Sequence, residues 1–86
     1  MKFDIIQNGE VIQTLELGEG SHKIGRDESA KIQLKSSQVS KNHAVLIIKE
    51  DKVAIVDAGS SNGVFVNGIL VKKQRFGKND LVAIAD

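Results

Sequence analysis

Asp57-Ala58-Gly59-Ser60-Ser61-Asn62-Gly63-Val64-Phe65-Val66-Asn67-Gly68 is the stretch from which this 86-residue chain is best read. It holds two Asn-Gly dipeptides five residues apart, with Val64, Phe65 and Val66 between them. Asn-Gly is the strongest short-range turn signal, because Asn tolerates positive φ and Gly prefers it. The stretch therefore predicts a loop, a short strand and a tight turn in succession. Gly59, Ser60, Ser61 and Asn62 put more polar groups into the first turn than a hairpin needs. That surplus points to function.

Outward from there, short apolar runs alternate with Gly and Asn turns. Phe3 to Asn8 predicts a strand, Asn8-Gly9 a hairpin turn, and Val11 to Leu17 a second strand with Val11, Leu15 and Leu17 on one face. Gly18-Glu19-Gly20 breaks the run and Ser21 to Gly25 resumes it briefly. Arg26 to Lys31 is a polar loop, and Ile32-Gln33-Leu34 alternates as a half-buried strand does. His43 to Lys49 carries Ala44, Leu46 and Ile48 on one face and Val45 and Ile47 on the other; its β-branched content favours a strand. Glu50-Asp51 is a charged turn into Lys52 to Asp57, which alternates again. Ile69 to Val71 pairs back across Asn67-Gly68. Lys72 to Asp80 is mostly polar, with Phe76 as a core anchor, and Leu81 to Ala85 forms a last strand. No segment sustains a helical apolar spacing, so the expected fold is all-β, a two-sheet β-sandwich of about ten short strands.

Composition narrows the function. A chain of this length is expected to be one small domain spanning 1-86, near the lower limit for a self-sufficient core. Cysteine is absent, so no disulfide or thiolate metal site is expected and nothing suggests an oxidising compartment. No apolar run approaches the ~20 residues of a bilayer span. Met1-Lys2-Phe3-Asp4 also lacks a signal peptide's apolar stretch, which makes cytoplasmic residence the expectation. A net charge of +1 draws the chain to neither nucleic acid nor membrane, so an anion must be held by a local arrangement. The aromatics are Phe3, Phe65 and Phe76, too few to stack bases.

Three loops supply a local arrangement: Gly25-Arg26, Ser40-Lys41-Asn42-His43 and Ser60-Ser61-Asn62-Gly63. Loops at one end of a sandwich cluster in space. Together these offer a guanidinium, hydroxyls, an ammonium and a primary amide, which suits a phosphate carried on a peptide. Arg grips phosphate oxygens bidentately, hydroxyls donate, and an Asn amide both donates to and accepts from a ligand backbone.

Gly25-Arg26, Ser40 to His43, Ser61-Asn62-Gly63 and Val66-Asn67-Gly68, in that order, resemble the motif of the forkhead-associated (FHA) domain. That family comprises β-sandwiches of the FHA/SMAD-like type that read phosphothreonine peptides, and the resemblance covers essentially the whole chain. It implies that Arg26 and Ser40 bind the phosphate directly. Lys41, at a position the family often fills with Arg or Asn, adds a further phosphate contact. Ser61 stands where many members carry Thr, beside the phosphothreonine, and Asn62 hydrogen-bonds the ligand main chain. Gly25, His43 and Gly63 are the architectural members.

Elementary chemistry supports these roles. Gly25 permits close backbone packing or a positive φ before Arg26. His43 opens an apolar strand, where imidazole joins two loops by accepting at one nitrogen and donating at the other. A phosphate brings nearly two negative charges, so charge-assisted bonds should dominate affinity. The implied partner is a phosphothreonine protein or peptide made by a Ser/Thr kinase. Residues after the phosphothreonine would meet loop side chains around Lys35 to Gln38 and Val64. No cofactor is expected.

Competing classes fit less well. Ser40, His43 and Asp57 supply triad residue types, but no oxyanion-hole or nucleophile-elbow signature accompanies them. Gly18 to Lys23 lacks the spacing of a phosphate loop, and two distant histidines make no metal site. The chain is not expected to be an enzyme. The alternative binding class is an FHA-like scaffold that packs on protein without phosphate; loss of the Arg or Ser marks such domains, and both are kept here. His22 is expected at the surface, and Lys72, Lys73, Arg75 and Lys78 as a solvated face.

Family members continue past the equivalent of Leu81 to Ile84 into one more strand beside the first. This chain ends at Asp86, so a domain trimmed from a larger regulatory protein, without that strand, is expected. The first strand would then expose an edge that invites dimerisation.

Overall fold

A computed structural model describes residues 1–85. The strands are β1 (Lys2–Gln7), β2 (Glu10–Glu16), β3 (Gly20–Gly25), β4 (Ile32–Gln33), β5 (Ala44–Lys49), β6 (Lys52–Asp57), β7 (Val64–Val66), β8 (Ile69–Val71), β9 (Lys73–Phe76) and β10 (Val82–Ile84). Among the described residues no helix is long and apolar enough to cross a membrane. The Asn8-Gly9 and Asn67-Gly68 hairpin turns take positive φ at both residues, as their sequence predicts.

Hydrogen bonding sorts the strands into a five-stranded sheet ordered β4-β3-β5-β6-β9, a three-stranded sheet ordered β10-β7-β8, and the hairpin β1-β2. The all-β sandwich expectation holds, with three sheets around one core where two were expected. Ile24, Ala44, Leu46, Ile48 and Ile55 of the large sheet bury against Val64 and Val66 of β7. Phe3, Ile5 and Leu15 of the hairpin pack on the same cluster. No strand follows β10 among the described residues, and none joins it to β1. Those two edges border an open cleft of about 540 Å³ lined by Ile5, Ile6, Ile12, Leu34, Val39 and Ile84.

Two expectations need correcting. Val11 does not share the buried face of Leu15 and Leu17; it is exposed near the hairpin tip. The cause is an irregularity between Ile5 and Ile6, where Gln13 pairs with Ile5 but Val11 with Ile6, so the face changes along β2. Lys73–Phe76, within the segment read as polar, forms an edge strand pairing with β6. An edge strand with solvent on most sides can be polar, and Phe76 alone among its side chains packs on the core.

Strand register positions the candidate residues. Ile24 near the end of β3 lies opposite Ala44 at the start of β5, and Ala44 lies opposite Asp57 at the end of β6. The chain leaving β3, entering β5 and leaving β6 therefore meets at one end of the large sheet.

Candidate functional site

Gly25 ends β3 with no room for a side chain. A Cβ there would collide with the Lys41 carbonyl oxygen and lie 2.8 Å from its carbon, so close approach, not positive φ, requires glycine. The approach lets Arg26 N–H donate to the Ser40 carbonyl at 3.0 Å. The Arg26 side chain donates through Nε to the Val39 carbonyl at 3.0 Å, which fixes the guanidinium plane. No protein hydrogen bond or ion pair occupies its two Nη groups among the described residues. An anchored guanidinium with a spare pair of donors is a ready bidentate anion grip.

His43 is 0% exposed and braces the second loop against the third. Its Nδ1 accepts from Ser40 N–H at 3.0 Å, and its Nε2 bonds the Gly63 carbonyl at 2.7 Å. Because the Ser40 amide is a donor and the Gly63 carbonyl an acceptor, the proton sits on Nε2. The Ser40 hydroxyl oxygen accepts from Ser61 N–H at 3.2 Å, leaving its own hydrogen for a ligand. Asn62 donates through Nδ2 to the Gln38 carbonyl at 2.7 Å and to the Gln38 side-chain oxygen at 3.3 Å. Its amide is thus held in place through Nδ2, and no hydrogen bond engages Oδ1 among the described residues. The Lys41 side chain is exposed and makes no ion pair among the described residues. It adds a mobile positive charge beside this arrangement.

The third loop is shaped from below by Asp57, whose side chain is 3% exposed. Its Oδ1 accepts from Gly59 N–H at 3.1 Å and Ser60 N–H at 2.8 Å. The Ser60 hydroxyl then accepts from Gly63 N–H at 3.0 Å. Burial pushes the Asp57 carboxyl up, yet the Ser60 and Gly59 hydrogen bonds and the Lys72 ammonium, 3.9 Å away, outweigh it and hold it below the usual aspartate range. Gly63 takes φ 84°, a conformation that favours glycine; a Cβ would lie 2.8 Å from Leu70 Cδ1, the tip of an exposed side chain that can turn away.

The structure thus brings Arg26, Ser40, Lys41, Ser61 and Asn62 to one place, with Gly25, His43 and Gly63 beneath them. Asp57, Val39 and Gln38 were missed as supports. Asp57 had a signal: an aspartate two residues before glycine and three before serine is an Asx-turn pattern. The Val39 contact and the shorter of the two Gln38 contacts run through backbone carbonyls, which no side-chain motif reveals. Val64 was expected to meet the ligand, but it is 0% exposed. Alternation along β7 turns Val64 and Val66 into the core and Phe65 outward. His22 is half-buried, bonded through Nε2 to the Gly18 carbonyl at 2.8 Å, where surface exposure was expected. Lys72, Lys73, Arg75 and Lys78 are exposed, as expected of a solvated face.

The family model described as FHA domain matches residues 22–85. The FHA domain of the CT664 protein from Chlamydia trachomatis superposes with a TM-score of 0.89 at 28% identity, over 98% of this chain and 87% of that one. The FhaA FHA domain, solved in complex with the intracellular domain of Rv3910, gives a TM-score of 0.80 at 28% identity, over 91% and 82%. A structure from a study of phosphothreonine-dependent FHA domain interactions gives 0.83 at 26% identity, over 98% and 84%. No curated protein matches the chain. With the family model spanning most of its length and the same sandwich in these solved domains, the chain belongs to the FHA domain family.

Proposed function

We propose that this domain is a binding module, not an enzyme, that reads phosphothreonine on a partner protein. The observation that carries this is the anchoring of Arg26. Its Nε is held by the Val39 carbonyl, and both Nη groups stand unused beside the Ser40 hydroxyl loop. Arg26 and Ser40 bind the phosphate, Lys41 adds charge, Ser61 lies beside the phosphorylated residue, and Asn62 Oδ1 takes a peptide N–H. The three loops brace one another through His43 and the Ser40 hydroxyl, so binding should order little protein and retain more of its interaction energy. A sequence without cysteine is consistent with the cytoplasm, where Ser/Thr kinase substrates are found.

The test is a titration of phosphothreonine, phosphoserine and unphosphorylated versions of a peptide library against the domain and Arg26→Ala. Binding is expected to require phosphate, and Arg26→Ala to cost about 2–5 kcal/mol, the range for truncating one member of a desolvated charge pair. Equal binding of phosphorylated and plain peptides would overturn the assignment in favour of a scaffold.

A further inference from the structure

Strand register gives the outer face of the five-stranded sheet a composition unlike that of the whole chain. Two rows cross it: Lys23, Val45, Val56 and Lys73 lie side by side, and so do Ser21, Ile47, Ala54 and Arg75. Beyond them Lys49 lies opposite Lys52. The centre, Val45, Ile47, Ala54 and Val56, is apolar and half-buried. Around it stand Lys23, Lys49, Lys52, Lys73 and Arg75, all exposed and none in an ion pair among the described residues.

A chain of net charge +1 thus puts five cations and no carboxylate on the strand positions of this face. The nearby acids lie elsewhere. Glu19 meets the Glu50 amide at the β5-β6 turn, which also holds Asp51, and Asp27 follows β3 in a loop. Asp57 turns inward, its side chain 3% exposed. Lys49 and Lys52 face each other directly, and like charges so placed destabilise a sheet in isolation. A carboxylate set between them would relieve that repulsion.

We propose that this face docks an acidic segment of a partner protein, independently of phosphorylation. Its carboxylates meet the cationic rim, and its apolar side chains cover Val45, Ile47, Ala54 and Val56. An apolar centre inside a polar rim is the layout of a protein interface, and charge complementarity orients the partner and speeds its approach. The short central side chains offer a bilayer little to take in, and no aromatic residue on the face stacks bases. The face shares β3 with the Arg26 site but none of its residues, so the inference does not depend on the phosphopeptide assignment.

The probe is an unphosphorylated peptide of alternating glutamate and leucine residues, titrated into the domain and followed by amide chemical shifts. The largest changes are expected at Val45, Ile47, Ala54, Val56 and Arg75. Affinity should fall at least tenfold, to about a tenth or less, in the double variant Lys73→Glu, Arg75→Glu. That variant should keep its affinity for a phosphothreonine peptide within about threefold at physiological salt. Lys2→Glu, a charge change on exposed β1, should alter acidic-peptide affinity by less than about twofold. A glutamate–serine peptide of equal charge should bind several-fold more weakly, about the effect of losing the apolar contact. Equal binding of that peptide, equal loss in Lys2→Glu, or shifts confined to the Arg26, Ser40 and Asn62 loops would overturn the docking face. Signal changes on this face with phosphatidylserine vesicles, and none with the glutamate–leucine peptide, would replace it with a membrane surface.

Discussion

Replacing His43 with alanine separates architecture from recognition. The imidazole is wholly buried and holds Ser40 N–H at 3.0 Å and the Gly63 carbonyl at 2.7 Å. Gly63 O keeps a second donor, Ala85 N–H at 2.9 Å, so the group left without a partner is the Ser40 amide. An unsatisfied buried donor costs about 1–3 kcal/mol, and the space left by the ring adds about 2 kcal/mol more. The sum, roughly 3–5 kcal/mol, is a large part of the stability of a small domain. It corresponds to a fall of about 15–30 °C in Tm at this chain length. Thermal melts of wild type, His43→Ala and His43→Phe provide the assay. The Phe variant keeps the volume and loses both bonds, so it should recover the cavity part alone. Phosphopeptide affinity, measured at a temperature where His43→Ala is still folded, should drop less than stability does. An unchanged Tm with abolished binding would refute this reasoning and put His43 in contact with ligand.

Gly25→Ala should destabilise by about 2–3 kcal/mol in denaturant melts, because the new Cβ meets backbone atoms of Lys41 that cannot swing away; a neutral result would mean the loop is not pressed against β3. Asn62→Asp removes the two donors that hold Gln38 and sets a carboxylate beside the phosphate, so phosphopeptide affinity should fall at least tenfold by calorimetry, about 1.4 kcal/mol. Asp57 has a folded pKa below its unfolded value of about 3.9, so its contribution is complete above that value and is lost as pH falls through the lower folded one. Acid titration of stability should therefore be shallower in Asp57→Asn than in wild type. At neutral pH the same variant, which can still accept from Gly59 and Ser60, should lose about 0.5–1.5 kcal/mol.

What could be read from the sequence was local. Asn67-Gly68 and Asn8-Gly9 encode their turns in two residues, and the strict alternation from Ala44 to Ile48 encodes a half-buried strand. The site motif was legible because each loop carries its own functional side chain, while strand register brings the loops together. Less legible were features that depend on a partner elsewhere in the chain. Val64 and Phe65 exchange roles according to which face β7 presents, and Val11 leaves the core because Ile12 is an extra residue in its own strand where β2 pairs with Ile5 and Ile6. Asn67 looked like hairpin chemistry alone. In the structure its side chain accepts from Leu81 N–H and donates to Asp80, both at 2.9 Å, which ties the hairpin to the start of β10.

Among the described residues the hairpin β1-β2 shares a core with the rest of the domain but no backbone ladder, and β1 and β10 border one open cleft. Among the described residues side-chain packing couples it to the other sheets, so it can open without breaking their strand pairing. Its amide protons should exchange with solvent through that partial opening. Those of β3, β5 and β6 should wait for global unfolding. The loops that bear Arg26, Ser40 and Asn62 issue from the slowly exchanging sheet and from β7, so peptide occupancy should deepen protection there and leave the hairpin's exchange rates nearly as they were.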